Sequence, residues 1–128
     1  MLTTSTLRNR LADKLVADGV MKTRAIEDAF RALPRELFVP DATLESAYAD
    51  DAVYTKQDDG GVFISAASKP SIVAEILEQL QPQPGELIVE AGAGTGINAA
   101  LIGLMVGPTG HVTTLDVDAD LVDGAAGT

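Results

Sequence analysis

The first third of the chain carries apolar side chains at helical spacing. One stripe predicts a helix over residues 4–18, ended by Gly19 as a left-handed C-terminal cap. This stripe consists of Leu7, Leu11, Leu15 and Val16. A second stripe predicts a helix from the N-cap Thr23 to Pro34, because the residue before a proline leaves the helical region. This stripe consists of Ile26, Phe30 and Leu33.

The middle of the chain alternates short apolar runs with turns. Residues 34–40 form an apolar run bounded by two prolines, which predicts a packed connector, and residues 42–48 predict a short helix. The runs 52–55 and 62–64 favour strands and flank a segment rich in Asp and Gly, which predicts a small hairpin. We expect Asp58 and Asp59 to form a solvated turn rather than a metal site.

The rest of the chain predicts a strand, a helix and a second strand. A helix begins near Pro70, with Ser68 as its expected N-cap. The continuous apolar run within residues 86–91 predicts a strand buried on both faces of a parallel sheet. A helix over residues 97–106 and a strand over residues 111–117 follow, so this part of the chain forms one βαβ unit.

Charge divides the chain at the start of this unit. Nine Lys and Arg against nineteen Asp and Glu give a formal charge of -10, and all nine basic residues precede position 70. Such a field repels a phosphate backbone, so we exclude nucleic acid as the primary ligand. We expect two parts: a helical cap with a small hairpin over residues 1–69, and a cofactor-binding unit over residues 70–128.

Residue types exclude several reaction classes. The chain has no cysteine and a single histidine, His111, which is expected to be exposed. Disulfides, thiolate chemistry, a His-based zinc site and a Ser/His/Asp triad therefore lack their components. No window approaches the roughly 20 apolar residues of a membrane span, and the first residues lack a signal-peptide pattern. We expect no membrane partner and a cytoplasmic location.

A glycine cluster joins the strand at 86–91 to the next helix. Residues 90–96 read Glu-Ala-Gly-Ala-Gly-Thr-Gly, and their glycines allow a tight turn and close backbone approach to a nucleotide-like ligand. Asp116 lies twenty residues beyond Gly96, where an acid can accept hydrogen bonds from ribose hydroxyls. The expected cofactor-binding residues are Glu90, Gly92, Gly94, Gly96 and Asp116.

Two cofactor classes fit this loop. Residues 94–99 also satisfy the dinucleotide pattern G-x-G-x-x-[GA]. The acid Glu90 instead suits a cationic ligand such as S-adenosylmethionine, as does the absence of Lys and Arg beyond residue 69. The P-loop sequence G-K-[ST] does not follow the loop, so nucleotide triphosphate hydrolysis is unsupported.

Four motifs occur together in one order along nearly the whole chain. They are residues 32–40 (ALPRELFVP), residues 47–50 (AYAD), Ile64-Ser65 followed by residues 68–74 (SKPSIVA), and residues 90–96 with Asp116. A chain with these motifs resembles the protein-L-isoaspartate O-methyltransferases, and more nearly their actinobacterial-type relatives that accompany ribosomally made peptides.

The resemblance implies an α/β fold, with an N-terminal helical cap followed by the first βαβ unit of a Rossmann-like methyltransferase sheet. It implies methyl transfer from S-adenosylmethionine to an isoaspartyl or aspartyl side-chain carboxylate of a protein or peptide. It assigns the Ser-x-Pro element to residues 68–70 and makes Ser68 the catalytic residue, as a positioning hydroxyl. Lys69 and Arg35 are alternatives for meeting the acceptor carboxylate, although we expect both at the solvated surface.

Family members continue beyond the second strand, so the resemblance implies an incomplete sheet in a truncated form. A half-sheet exposes a backbone edge and an apolar face. The chain is then a piece of an active methyltransferase, or a short protein completed by a second copy or a complementing chain. The third alternative is a non-methylating binding module or a repurposed cyclase-like catalyst.

Overall fold

The computed structural model describes residues 3–57, 59–60, 63–92 and 96–115. The helices expected in the first part are confirmed, and the connector between prolines contains a 3₁₀ helix. These elements are α1 (Thr4–Ala17), α2 (Arg24–Ala32), the 3₁₀ helix (Arg35–Phe38) and α3 (Leu44–Ala47). Helix α1 ends as predicted, because Gly19 follows it with a φ of +75°.

The predicted hairpin is confirmed as strands β1 (Val53–Gln57) and β2 (Phe63–Ala67), which pair antiparallel. Its ladder is irregular, with register shifts between Tyr54 and Lys56 and between Lys56 and Gln57. Asp59 is exposed in the turn, whereas Asp58 lies outside the described residues.

The predicted βαβ unit is also confirmed. Helix α4 (Pro70–Leu80) precedes strand β3 (Leu87–Ala91), helix α5 (Ile97–Val106) and strand β4 (His111–Leu115). The two strands pair parallel, from Leu87 opposite His111 to Ala91 opposite Leu115. His111 is exposed, as expected. The expected last residues of the second strand lie outside the described residues.

Helices from both parts of the chain share a hydrophobic core. Helix α2 contacts α1, α4 and α5, while α5 covers the strand pair through β4. The large side chains with almost no solvent exposure come from α1, α2, α4 and α5. They include Leu15, Ile26, Val73, Leu77, Leu101 and Val106. The helical cap therefore packs directly on the helix that follows the glycine cluster.

Strand β3 is covered on one face only among the described residues. Ile88 and Val112 pack against the core beneath α5, whereas Leu87 is 79% exposed and Val89 68% exposed. The prediction of a strand buried on both faces is wrong there, because no described element covers the second face. The expected exposed apolar face is confirmed. That a second copy or a complementing chain covers it stays a prediction.

A carboxylate from α4 caps the start of α2. Glu78 Oε2 accepts hydrogen bonds from the backbone amides of Lys22 and Thr23 at 2.7 and 2.8 Å, and Glu78 Oε1 accepts one from the Thr23 hydroxyl at 2.7 Å. Thr23 stands at the predicted N-cap position but makes no side-chain cap of its own. Burial acts to raise the pKa of Glu78, but these bonds and one from Gln81 outweigh it and lower that pKa.

Replacing this carboxylate is expected to loosen the contact between α4 and α2. Glu78→Gln keeps the shape of the side chain but turns an NH₂ group toward N–H donors, so we expect a loss of about 1 kcal/mol in the free energy of unfolding. Urea unfolding near neutral pH measures this loss, and Glu75→Gln on the exposed side of α4 is the matched control.

The same pair of variants tests the pH dependence. Because the folded-state pKa of Glu78 is lowered, its contribution is complete above the ordinary glutamate pKa and is lost as the pH falls through the lowered value. The stability difference between wild type and Glu78→Gln should therefore shrink on acidification. An equal loss in Glu75→Gln would contradict the assignment.

Two glycines near the strand pair should respond in opposite directions to alanine. A Cβ at Gly110 would lie 2.5 Å from Val106 Cβ and 2.8 Å from the Glu86 carbonyl oxygen, so Gly110→Ala should destabilise the fold by about 1 to 3 kcal/mol. A Cβ at Gly103, within α5, meets nothing within 4 Å, so Gly103→Ala should stabilise it by about 0.5 to 1 kcal/mol. Thermal unfolding of both variants checks the contrast, and destabilisation by both would contradict it.

Candidate functional site

The glycine turn lies where both parallel strands end. Ala91 pairs with Leu115, and the Gly92 amide donates a hydrogen bond to the Leu115 carbonyl oxygen at 2.6 Å. Gly92 has a φ of +86°, and Gly96 begins α5 with a φ of +93°. Residues other than glycine are strained at such positive φ values, so the backbone conformation at these two positions depends on glycine. Ligands of open α/β sheets bind at this edge.

Two of the expected cofactor residues lie outside the described residues. These are Gly94, between Gly92 and Gly96, and Asp116, which directly follows Leu115 in sequence. Their assignment stays a prediction. Leu115, the residue before Asp116 in the sequence, accepts a hydrogen bond from the Gly92 amide.

Glu90 occupies the last position but one of β3. It pairs with Thr114 and alternates with exposed neighbours, so it shares the half-buried face with Ile88 under α5. The sequence from residue 70 onward contains no Lys or Arg, so its formal charge is negative throughout. A negatively charged group at the strand end favours a ligand with positive charge.

A shallow groove of about 450 Å³ leads from this edge along α5 and β4. Small side chains line it, including Ala99, Ala100 and Gly103, and it meets the turn at Gly96 and Thr114. The groove therefore reaches Gly96, where α5 begins.

Ser68 has an exposed side chain and does not cap α4. The N-cap position belongs to Lys69, and Asp50 Oδ1 accepts the hydrogen bond of the Ser71 amide at 2.8 Å. The prediction of Ser68 as N-cap is wrong, because Pro70 has no amide hydrogen and the distant Asp50 reaches the first amide after it. The hydroxyl of Ser68 is not used for capping.

Arg35 is buried, so the expectation of a solvated surface position is wrong. It is only 5% exposed, and its Nε and Nη2 donate hydrogen bonds to the carbonyl oxygens of Ala47 and Ser68 at 2.7 and 3.2 Å. Burial lowers the pKa of the guanidinium, an effect that Tyr48 and Asp50 only partly offset. Lys69, by contrast, is exposed as expected.

Tyr48 belongs to a hydrogen-bonded network with the side chains of Arg8 and Glu36. Its hydroxyl donates to Glu36 Oε2 at 2.9 Å and accepts from Arg8 Nε at 3.1 Å, while Arg8 also pairs with Glu36 at 3.1 Å. Burial raises the pKa of the Tyr48 phenol, Arg8 opposes this, and Glu36 adds to it. The phenol therefore stays protonated and acts as a structural link between α1, the 3₁₀ helix and α3.

The structure thus gives Arg35 the role of a buried donor in place of the expected surface position, and it adds Asp50 as a cap that the sequence patterns did not single out. The position of Arg35 inside an apolar run bounded by two prolines is a signal of its burial, whereas nothing local marks Asp50 as a cap. In the described part of the chain, no three His, Asp or Glu side chains form a cluster suited to a metal ion. No helix there has the length and apolar character needed to cross a membrane.

Comparisons with known sequences point to one family. The family model described as protein-L-isoaspartate(D-aspartate) O-methyltransferase matches residues 6–128. A protein-L-isoaspartate O-methyltransferase of Ignicoccus hospitalis is 34% identical over 118 residues, which cover 92% of this chain and 53% of that protein. One of Methanothermobacter thermautotrophicus is 38% identical over 109 residues, which cover 85% and 48%. The chain spans about half the length of these curated relatives.

The comparison with solved structures leads to the same family. A protein-L-isoaspartate O-methyltransferase structure aligns with a TM-score of 0.81 at 32% identity, covering 93% of this chain and 37% of the other. A Plasmodium falciparum structure described as an enzyme of the same kind in complex with S-adenosyl-L-homocysteine aligns with a TM-score of 0.76. Its identity is 21%, so it supports the fold alone.

Removing the cap of α4 should cost stability, whereas removing the Ser68 hydroxyl should not. We expect Asp50→Ala to lower the free energy of unfolding by about 1 kcal/mol, because the Ser71 amide loses its acceptor. We expect Ser68→Ala to change it by less than about 0.5 kcal/mol. Urea unfolding measures both, with Asp51→Ala as the control for an exposed acid. A larger loss for Ser68→Ala than for Asp50→Ala would restore Ser68 as the cap.

Proposed function

The chain belongs to the protein-L-isoaspartate(D-aspartate) O-methyltransferase family, and from that premise we propose that it binds S-adenosylmethionine and transfers a methyl group to a side-chain carboxylate of a protein or peptide. The observation that carries the proposal is the glycine turn at the carboxyl edge of β3 and β4. There Gly92 and Gly96 take positive φ values between the strand and the start of α5.

The residues of the turn suit this cofactor. A Cβ at Gly92 would meet nothing within 4 Å, so the backbone there borders open space that a ligand can approach. Glu90 supplies negative charge for a ligand with sulfonium and ammonium groups, which favours S-adenosylmethionine over a dinucleotide with its negatively charged pyrophosphate. We assign Gly94 to the same turn and Asp116 to the ribose hydroxyls.

The cofactor supplies a methyl group on a positively charged sulfur that leaves as a neutral thioether. The acceptor carboxylate is ionised at neutral pH, so the protein need not provide a general base and acts by proximity and orientation. The exposed hydroxyl of Ser68 is our candidate for holding the acceptor carboxylate, and its freedom from capping supports that role. We also propose that the protein acts in the cytoplasm.

These assignments give the two parts of the chain different roles. We propose that residues 70–128 hold the cofactor and that residues 1–69 form the cap on the acceptor side. The contact between α2 and α5 supports this, because it joins the cap to the helix that begins at the turn.

Calorimetric titration with S-adenosylhomocysteine tests the proposal, with NAD as the competing ligand. Saturable binding of S-adenosylhomocysteine alone is expected. Asp116→Ala should weaken it by about 1 to 3 kcal/mol, the scale of hydrogen bonds to a charged group. Asp41→Ala, which removes an exposed acid far along the sequence, is the control and should leave the affinity unchanged.

Each other outcome selects an alternative. Binding of NAD alone would favour the dinucleotide pattern of residues 94–99. Binding of neither ligand would contradict the cofactor assignment and favour a binding module on the same fold. Binding without methyl transfer to any aspartyl or isoaspartyl peptide would favour the non-methylating or cyclase-like alternative.

A further inference from the structure

Ser68 presents an exposed side chain on a backbone that is fixed on both sides. Ala67 before it is 4% exposed, and Pro70 after it is among the fully buried residues. The side chain of Ser68 makes no capping bond, so its direction depends on the backbone that carries it. The contacts that hold this backbone therefore set the position of the Ser68 Cβ, and with it the region that the hydroxyl can reach.

Arg35 provides one of these contacts from inside the protein. Its Nη2 donates to the Ser68 carbonyl oxygen at 3.2 Å, and its Nε donates to the Ala47 carbonyl oxygen at 2.7 Å. No ion pair joins Arg35 to a carboxylate within the ranges that the structure describes. A buried guanidinium without a charged partner is costly, and an apolar side chain would fill the same space more cheaply. An apolar side chain, however, could not form the two hydrogen bonds to the backbone carbonyl oxygens.

Asp50 and Pro70 fix the backbone on the other side of Ser68. Asp50 Oδ1 holds the Ser71 amide at 2.8 Å, and Lys69 is held in an extended conformation with φ −54° and ψ 129°, as residues before proline are. The carbonyl of Ser68 and the amide of Ser71 are thus both bound to side chains from residues 35–50. These two bonds restrict the backbone on the C-terminal side of Ser68.

Arg35 also lies beside the start of α5. It lines a cavity of about 10 Å³, room for one water at most, together with Ile97, the residue that directly follows Gly96. Arg35 therefore bonds to the Ser68 segment and lines the same cavity as the first residue of α5. Its placement relates the candidate acceptor hydroxyl to the candidate cofactor turn.

We propose that Arg35 is a positioning residue of this site, which acts through the Ser68 carbonyl to hold the Ser68 backbone and so keep its hydroxyl within reach of the acceptor carboxylate. The inference rests on the proposed methyl transfer and deepens it. It gives the segment of residues 35–50 a role in the reaction, in addition to its role in the packing of the cap.

A double-mutant cycle of Arg35→Met and Ser68→Ala in the full 128-residue chain tests the inference. Arg35→Met should lower kcat for a carboxylate peptide by about 10 to 100-fold, the scale expected for a misplaced reacting group, and should leave the affinity for S-adenosylhomocysteine within about threefold. In the Ser68→Ala background it should lower kcat by less than about twofold further, since its effect passes through Ser68.

The matched control is Arg8→Met. Arg8 is also partly buried and makes hydrogen bonds of similar length, but to the side chains of Glu36 and Tyr48 rather than to the Ser68 segment. It should lose stability while kcat stays within about twofold of wild type. Arg35→Lys keeps the charge and the fold but not the two-armed donor geometry, so it should give an intermediate kcat even if Arg35→Met does not fold.

Amide hydrogen exchange gives a readout independent of activity. Exchange across residues 69–73 should increase in Arg35→Met and Arg35→Lys more than in Arg8→Met. Unchanged exchange in this segment would overturn the role of Arg35 but not the proposed function. The same conclusion would follow if, in an active protein, the losses in kcat caused by Arg35→Met and Ser68→Ala multiplied independently in the double variant. A wild-type chain that binds no S-adenosylhomocysteine and transfers no methyl group would overturn the proposed function, and the role of Arg35 in it.

Discussion

Helix α2 lies between α1, α4 and α5, and its fully buried Ile26 belongs to the core that these helices share. A chain of 128 residues has little apolar surface to bury, so the cap and the βαβ unit depend on the same packed interior. The position of α5, and with it the glycine turn, is set by α2 as well as by β3 and β4. Changes in the cap that move α2 are therefore expected to shift α5 and the end of the turn from which it begins.

Carboxylates act inside this fold as helix caps that come from distant parts of the chain. Asp50 holds the first free amide of α4, and Glu78, near the other end of α4, holds the amides that precede α2. Both bonds complement the positive end of a helix dipole with negative charge. They explain how a chain with many more acidic than basic residues uses some of its acids for stability rather than for solvation.

The candidate site combines a turn that requires glycine with a segment held by a buried arginine. Positive φ values at Gly92 and Gly96 leave the backbone close to the edge where a cofactor is expected. Arg35 holds the Ser68 carbonyl in place from the interior. Gly92 and the Ser68 segment are thus both held by hydrogen bonds in the free protein, as the proposed catalysis by orientation requires.

The sequence by itself determined the helices, the hairpin, the order of the βαβ unit and the place of the glycine turn. These features follow from local rules: helical periodicity, proline and glycine positions, and short apolar runs. Tertiary structure alone decided which backbone carbonyl oxygens Arg35 binds, and that Asp50 rather than Ser68 caps α4. Asp50 and Ser71 are 21 positions apart, and Glu78 and Thr23 are 55 apart. No local pattern encodes such pairs, because the partners meet only when the core has formed.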